Sequence, residues 1–298
     1  MSKRHSQTAS RPHNLPAELT SFVGRRHEIA EVKRRLQTTR LLTLTGTGGA
    51  GKTRLALRVG ADLVRAFPDG VWVVELANLQ DPALAAQAVF AALGLRDQSA
   101  SWPVGVLTQY LAPKRLLLVV DNCEHLLTAA AVLLETLLRR CPGLRVLATS
   151  REPLGIPGEV RIAVPSLSLP DAKKTTSLQT VLTSDAVRLF ADRAVAVMPG
   201  FAVTSENHAD VARLCRQLDG NPLTIELATV RLTVLDVHEI IERIGDRFRL
   251  LTGGSKAALP RQQTLRATIE WSLTSLMRMS SSCGSGYRCL QMVSTSRR

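Results

Sequence analysis

The chain has 298 residues, 45% hydrophobic and 4% aromatic, with 38 Lys and Arg against 25 Asp and Glu for a net charge of +13. That length builds one large or two medium domains around a real core, and no apolar run approaches the ~18 residues of a membrane span, so a membrane partner is not expected. The five cysteines, Cys123, Cys141, Cys215, Cys283 and Cys289, include no CxxC pair; they suggest neither a disulfide framework nor a zinc site and fit a reducing, cytoplasmic setting.

Residues 1–20 are polar and proline-punctuated, and Lys3, Arg4, His5 and Arg11 have no apolar segment behind them. They read as a disordered basic tail rather than a secretory signal. Phe22-Val23-Gly24-Arg25 leads into a helical run over Glu28–Gln37 with Ile29, Val32 and Leu36 on one face. Leu41–Thr45 is a short β-prone run, the first strand. It passes directly into Gly46-Thr47-Gly48-Gly49-Ala50-Gly51-Lys52-Thr53, which fits the pattern G-x-x-x-x-G-K-[ST] at every fixed position. Leu55, Ala56 and Val59 give the helix that follows.

Strand, glycine loop and helix aim backbone N–H groups and a helix N-terminus at phosphate oxygens. Lys52 reaches the β- and γ-phosphates and the Thr53 hydroxyl ligates Mg²⁺; Arg54, next in the chain, is grouped with the nucleotide contacts. A glycine-rich turn matching by chance is the plain alternative, and the flanking elements count against it.

Asp69-Gly70 turns the chain into a second strand, Val71–Leu76. Asp81-Pro82 starts a helix through Ala85, Val89 and Leu93, and Pro103–Leu111 makes another. Arg115–Asp121 is a third strand whose unbroken apolar run suits burial on both faces of a parallel sheet. Asp121 closes it at the C-terminal edge, where ligands bind. A carboxylate there holds Mg²⁺, usually through water, and completes the metal site begun by Thr53; the alternative is an N-cap. A helix follows to Arg140, and Pro142-Gly143 turns into strand four, Leu144–Ala148, which runs on into Thr149-Ser150-Arg151. Arg151 reads as a γ-phosphate sensor; its alternative is a surface pair with Glu152. Val160–Val164 makes a fifth strand. The whole, over residues 21–165, is an α/β fold, a P-loop NTPase parallel sheet covered by helices on both faces.

The position directly after Asp121 is Asn122, which orients water but accepts no proton. The nearest carboxylate is Glu124, a helper base or else a first-turn dipole partner. Slow turnover is the expectation. Residues 166–184, rich in Ser, Thr, Lys and Pro, read as a linker or loop. Helical patterns over Asp185–Val197, Ser205–Leu218, Pro222–Leu235 and Val237–Phe248 then make a smaller all-helical domain, residues 185–252. The basic charge crowds at Arg25, Arg26, Lys33, Arg34, Arg35 and Arg40; an arginine-rich solvated surface explains it at least as well as nucleic-acid contact, and no DNA- or RNA-reading motif is evident.

Several segments together resemble the STAND signalling ATPases, relatives of the NB-ARC ATPases, and above all the ATPase module of actinobacterial transcriptional regulators fused to LuxR-type DNA-binding domains. They are Leu15-Pro16, Phe22–Arg25, the loop at 46–53, Leu118–His125, Ala148–Glu152, Leu218-Asp219-Gly220-Asn221-Pro222-Leu223 and Gln263–Ser272. The resemblance implies that Val23, Gly24 and Arg25 border adenine and ribose. It implies that Pro222 packs on adenine from the helical domain, making that domain a lid, closed with ADP and open with ATP. Asn221 departs from the apolar residue common there.

The resemblance further implies an ATP/ADP- and Mg²⁺-dependent switch with slow hydrolysis, self-association in the ATP state, and DNA contact only through domains absent from this chain. Residues 253–276 resemble the start of a winged-helix domain. Residues 277–298 lose apolar periodicity and carry no Asp or Glu. Back-translation of residues 283–291, shifted by one nucleotide, permits a family-like continuation, so a frameshift is expected to truncate the winged helix and leave an aberrant, disordered tail. A DNA-dependent ATPase and a nonfunctional truncated product that only binds nucleotide are the competing readings.

Overall fold

The computed structural model describes residues 11–95, 103–171 and 177–252. The expectations for residues 253–276 and 277–298, including Trp271, lie outside them.

Helix α1 (Arg26–Thr38) precedes strand β1 (Leu41–Thr45), which leads through the glycine loop into α2 (Lys52–Leu63). Strand β2 (Val71–Glu75), helices α3 (Ala85–Ala92) and α4 (Pro103–Leu111), strand β3 (Leu117–Asp121), helix α5 (Leu127–Arg140) and strands β4 (Arg145–Ser150) and β5 (Glu159–Ala163) follow. All five strands pair in parallel, in the order β2-β3-β4-β1-β5.

Side chains alternate across a strand, so each strand feeds two cores. Leu42, Leu44, Leu117, Val119 and Leu147 face α1 and α2, where Val32, Leu36, Leu55 and Val59 are buried. Leu41, Leu118, Val120, Val146 and Ala148 face the other layer, which includes Val89, Leu107, Leu134 and Leu137. This is the expected three-layer α/β arrangement, and it explains why β3 reads as an unbroken apolar run.

Residues 11–15 do not trail away as the expected tail. Val71 N–H donates to the Pro12 carbonyl (3.2 Å), Val73 N–H donates to Asn14 Oδ1 (2.6 Å), and Asn14 Nδ2 donates to the Val73 carbonyl (2.9 Å). Strand β2 is a sheet edge, and this segment pairs its otherwise open backbone groups. Asn14 imitates a strand with its side-chain amide, a device that composition does not reveal.

Beyond β5 a helical lobe has its own core. It contains α6 (Leu178–Leu182), α7 (Asp185–Val197), α8 (His208–Gln217), α9 (Pro222–Thr229) and α10 (Val237–Thr252). Val187, Phe190, Val211, Leu214, Ile225 and Ile240 are among its buried residues. The span expected as a linker, 166–184, is docked at both of its described ends. Leu167 and Val181 are buried in the helical core, Leu167 N–H donates to the Gly220 carbonyl, and Asp185 N–H donates to Ser168 Oγ. Two apolar residues in a polar stretch are enough to anchor it. The expected helix Pro222–Leu235 is shorter, passing at Val230 into a 3₁₀ turn that ends at Thr233.

Candidate functional site

The glycine loop sits at the C-terminal end of β1. Gly46, Gly49 and Gly51 have φ of 151°, 74° and 85°, a region that costs any residue with a Cβ. Gly51 N-caps α2 in the left-handed conformation. Five successive carbonyls are occupied by donors from three directions. Lys52 Nζ donates to those of Gly46 (2.9 Å) and Thr47 (3.1 Å). Asn221 Nδ2 donates to Gly48 (2.9 Å), Leu223 N–H to Gly49 (3.3 Å) and Arg25 Nη2 to Ala50 (2.6 Å). Tying the carbonyls down fixes the loop in a shape that suits anion capture by its amides.

Lys52 is buried, 9% exposed. Burial pulls its ammonium below the usual lysine value; Glu124 opposes this, Arg151 adds to it and Asp121 opposes it. An anion beside Lys52 would favour its charged form.

Asp121 Oδ1 accepts from Thr53 Oγ1 (2.7 Å) and from Thr149 Oγ1 (2.5 Å). Thr149 Oγ1 in turn accepts from Asn122 N–H at 3.0 Å. Strand β4 lies between β1 and β3, so Thr149, near its C-terminal end, is placed to hold Asp121 beside the loop strand. Sequence reasoning passed over Thr149 in favour of Arg151. The available signal was a buried hydroxyl following the apolar residues of β4, meaningful only once the strand order is known.

Glu124 joins the site from the 3₁₀ turn after Asn122, which has a left-handed φ of 62°. Its Oε1 pairs with Arg151 Nε at 3.2 Å. Its Oε2 is buried without a hydrogen-bond partner. Arg151 therefore pairs with Glu124 and not with its chain neighbour Glu152. A buried carboxylate oxygen left open beside a phosphate-type loop can accept a hydrogen bond from water or substrate.

The segment before α1 bridges the two lobes. Gly24 and Arg25 both have positive φ, 73° and 60°. A Cβ on Gly24 would overlap the Asp185 carboxylate at 2.3 Å, and Arg25 N–H donates to Asp185 Oδ2. Val23 packs on the helical core. The Arg25 guanidinium is buried, bonded to the Ala50 and Pro165 carbonyls, and Nη1 has no hydrogen bond. It braces the phosphate loop, whereas the resemblance implied a border to ribose.

Pro222 opens α9 directly above the loop. A Cβ on Gly51 would lie 3.7 Å from Pro222 Cγ, and one on Gly49 would lie 2.7 Å from Asn221 Oδ1 and Leu223 Cβ. Arg54, grouped with the nucleotide contacts from sequence, is committed elsewhere. Its guanidinium binds Thr20 and Ser21 and pairs with Glu226 of α9 at 3.3 Å. Glu226 also pairs with Arg193 of α7 at 2.9 Å.

These oxygens and this cradle fit a Mg²⁺–nucleotide. Thr53 and Asp121 place hard oxygens together beside the loop, and Mg²⁺ favours few protein ligands alongside phosphates and water. Among the described residues there is no group of three or more His, Cys, Asp and Glu that could hold a metal alone, nor a helix long and apolar enough to cross a membrane.

Comparison with known proteins agrees with this geometry. Residues 34–153 match the family profile of an AAA domain. The Mycobacterium tuberculosis H37Rv protein Rv0894 is 42% identical over 260 residues, 87% of this chain and 63% of that one. Rv0890c of the same strain, named as an HTH-type transcriptional regulator, is 45% identical over 237 residues, 80% of this chain and 25% of that one. A Walker-type ATPase of Pyrococcus abyssi superposes with a TM-score of 0.50 at 16% identity, covering 90% of this chain and 80% of that one, which shows the fold alone. The chain thus spans under two thirds of Rv0894 and a quarter of Rv0890c. Within that span, residues 34–153 are similar to an AAA domain, and they lie in the parallel α/β sheet whose first strand leads into the glycine loop.

Proposed function

We propose that the chain is a nucleotide-dependent switch: it binds ATP or ADP with Mg²⁺, hydrolyses ATP slowly, and forms the regulatory ATPase part of a transcriptional regulator. The docking of the α9 N-terminus on the phosphate loop carries this reading. Lid and loop share hydrogen bonds through Asn221 and Leu223, so anything that reshapes the loop acts directly on the lid. A ligand shifts such an equilibrium by its differential affinity for the two arrangements.

Lys52 and the amides of residues 46–53 would hold the phosphates, Thr53 and Asp121 the metal, and Val23, Gly24, the Arg25 backbone and Pro222 the base and sugar side, with the Arg25 guanidinium bracing the loop. Held by Thr53 and Asp121, Mg²⁺ would offset the negative charge of the phosphates. Thr149 holds Asp121 in place for it. Glu124, through its open Oε2, positions the attacking water. Arg151 must leave Glu124 to reach a terminal phosphate, which makes it the residue that distinguishes ATP from ADP. Asn122, directly after Asp121, supplies no base, in keeping with slow turnover. Self-association accompanies the ATP arrangement. The 45% identity to a protein named as an HTH-type transcriptional regulator supports the regulatory part of the reading.

Mass spectrometry of nucleotide released from the purified protein, beside Lys52→Ala, tests the proposal. Adenine nucleotide is expected from the wild type and much less from the variant. Equal recovery from both would remove the assigned site.

A further inference from the structure

The opposite edge of the sheet has a chemistry of its own. Arg40 immediately precedes β1, Arg115 lies two residues before β3, and Arg145 is the first residue of β4. These strands are neighbours in the order β3-β4-β1. Their register pairs Leu117 with Arg145 and Leu41 with Val146, which brings the three arginines to one edge. Gly143 tightens the arrangement. A Cβ there would lie 2.3 Å from the Lys114 carbonyl, so the turn into β4 presses against the chain at Lys114-Arg115.

Arg40, Arg115 and Arg145, with Lys33, line a cleft of about 360 Å³, within the range of small-molecule sites. Leu36, Leu63 and Phe67 supply apolar wall, and no Asp or Glu lines it. The cations are unequally committed. Lys33 pairs with Asp62 at 3.0 Å. Arg40 donates to the Leu138 carbonyl at 2.8 Å. Arg145 donates to the carbonyls of Leu36, Gln37 and Thr39, closing the end of α1. Asp69 pairs with Lys114 and accepts from the backbone N–H of Arg115, whose charge adds weakly to the pull that holds the Asp69 carboxyl low. Among the described residues the Arg115 guanidinium has no hydrogen bond or ion pair. Arg145 is held below the usual arginine value by burial, and Arg115 and Arg40 add to the effect. Like charges gathered on an apolar wall repel, and a bound anion relieves that repulsion.

We propose that this cleft is a second anion site that takes a phosphate monoester with an apolar body. The phosphate lies between Arg40, Arg115 and Arg145, and the body lies on Leu36, Leu63 and Phe67. The five residues of β1 separate it from the phosphate loop, roughly 16 Å at a strand's rise. The site is independent of the nucleotide reading.

Phenyl phosphate is the probe, titrated calorimetrically into protein held in excess Mg²⁺ and ADP, and again into Lys52→Ala. Saturable binding is expected in both, so the result is readable whether or not the phosphate loop binds nucleotide. Arg115→Gln, a change at an exposed residue whose melting curve should match the wild type, is expected to weaken binding about tenfold or more. Inorganic phosphate, lacking the body, is expected to bind more weakly than phenyl phosphate. The proposal is overturned by absence of saturable binding, by equal affinity in Arg115→Gln, by loss of binding in Lys52→Ala, or by equal affinity for inorganic phosphate. Arg115-dependent retention of a DNA duplex without phenyl phosphate binding would likewise replace it with a nucleic-acid surface.

Discussion

The Asn221 side-chain amide donates to the Gly48 carbonyl at 2.9 Å, while its own Oδ1 accepts from the N–H groups of Leu223 and Thr224. One side chain thus caps α9 and holds the helical lobe on the phosphate loop. An apolar residue here could do neither.

Asn221→Asp separates those two roles. The carboxylate still caps α9, but the donor to Gly48 is gone and a negative charge faces the loop. One lost hydrogen bond of about 1 kcal/mol corresponds to a roughly fivefold effect. Fluorescent ADP should leave this variant at least that much faster, with little change in thermal unfolding. Asn221→Ala should both release faster and melt lower. Unchanged release from both would show that Asn221 does not control the lid.

Gly49→Ala challenges the same contact from the loop side. The φ of 74° strains any L-residue, and the added Cβ would meet Asn221 Oδ1 and Leu223 Cβ at 2.7 Å. The left-handed conformation alone costs about 1–2 kcal/mol. Scattering should report a larger radius of gyration for this variant, with weakened nucleotide retention. A wild-type radius would contradict the inferred crowding.

Glu124 and Arg151 form a pair whose members predict different losses. Glu124→Gln should retain nucleotide yet lower phosphate release by roughly 10²-fold, the scale of a lost general base. Arg151→Ala should lower discrimination between ATP and ADP in equilibrium binding. If the two variants proved indistinguishable in both assays, the separate roles would fall.

The buried thiols set an alkaline limit on stability. Burial pushes Cys123 up to about 12, with the carboxylates of Asp121 and Glu124 adding, and burial pushes Cys215 up to about 12. A folded value above the ordinary 9.0 means stability that is complete below pH 9 and lost as pH rises towards 12. Lys52, held below 10.5, acts in the opposite direction, since the unfolded chain binds its proton more readily. Denaturant midpoints should therefore fall between pH 9 and pH 11 if the thiols dominate. Iodoacetamide at pH 8 should leave both cysteines unlabelled in the native protein. Rapid native labelling would refute their burial.

The sequence by itself determined the nucleotide half of the fold. The phosphate-loop pattern, the apolar run ending in Asp121 and the alternation of strand and helix are local signals, each readable within a few residues because backbone preference and burial period act locally. They located Gly46–Thr53 and Asp121, and with them Glu124 and Arg151 as candidates. Only the tertiary structure decided which groups meet. Strand order brought Thr149 to Asp121 beside Thr53, and lobe docking turned Asn221 from a departure into a clamp. It also gave Arg54 to Glu226, and gave Asn14 and Pro12 to the open edge of β2. Those pairings join residues as far as 173 positions apart. No local propensity encodes such a meeting; it arises when separate apolar faces close on shared cores and carry their polar groups together.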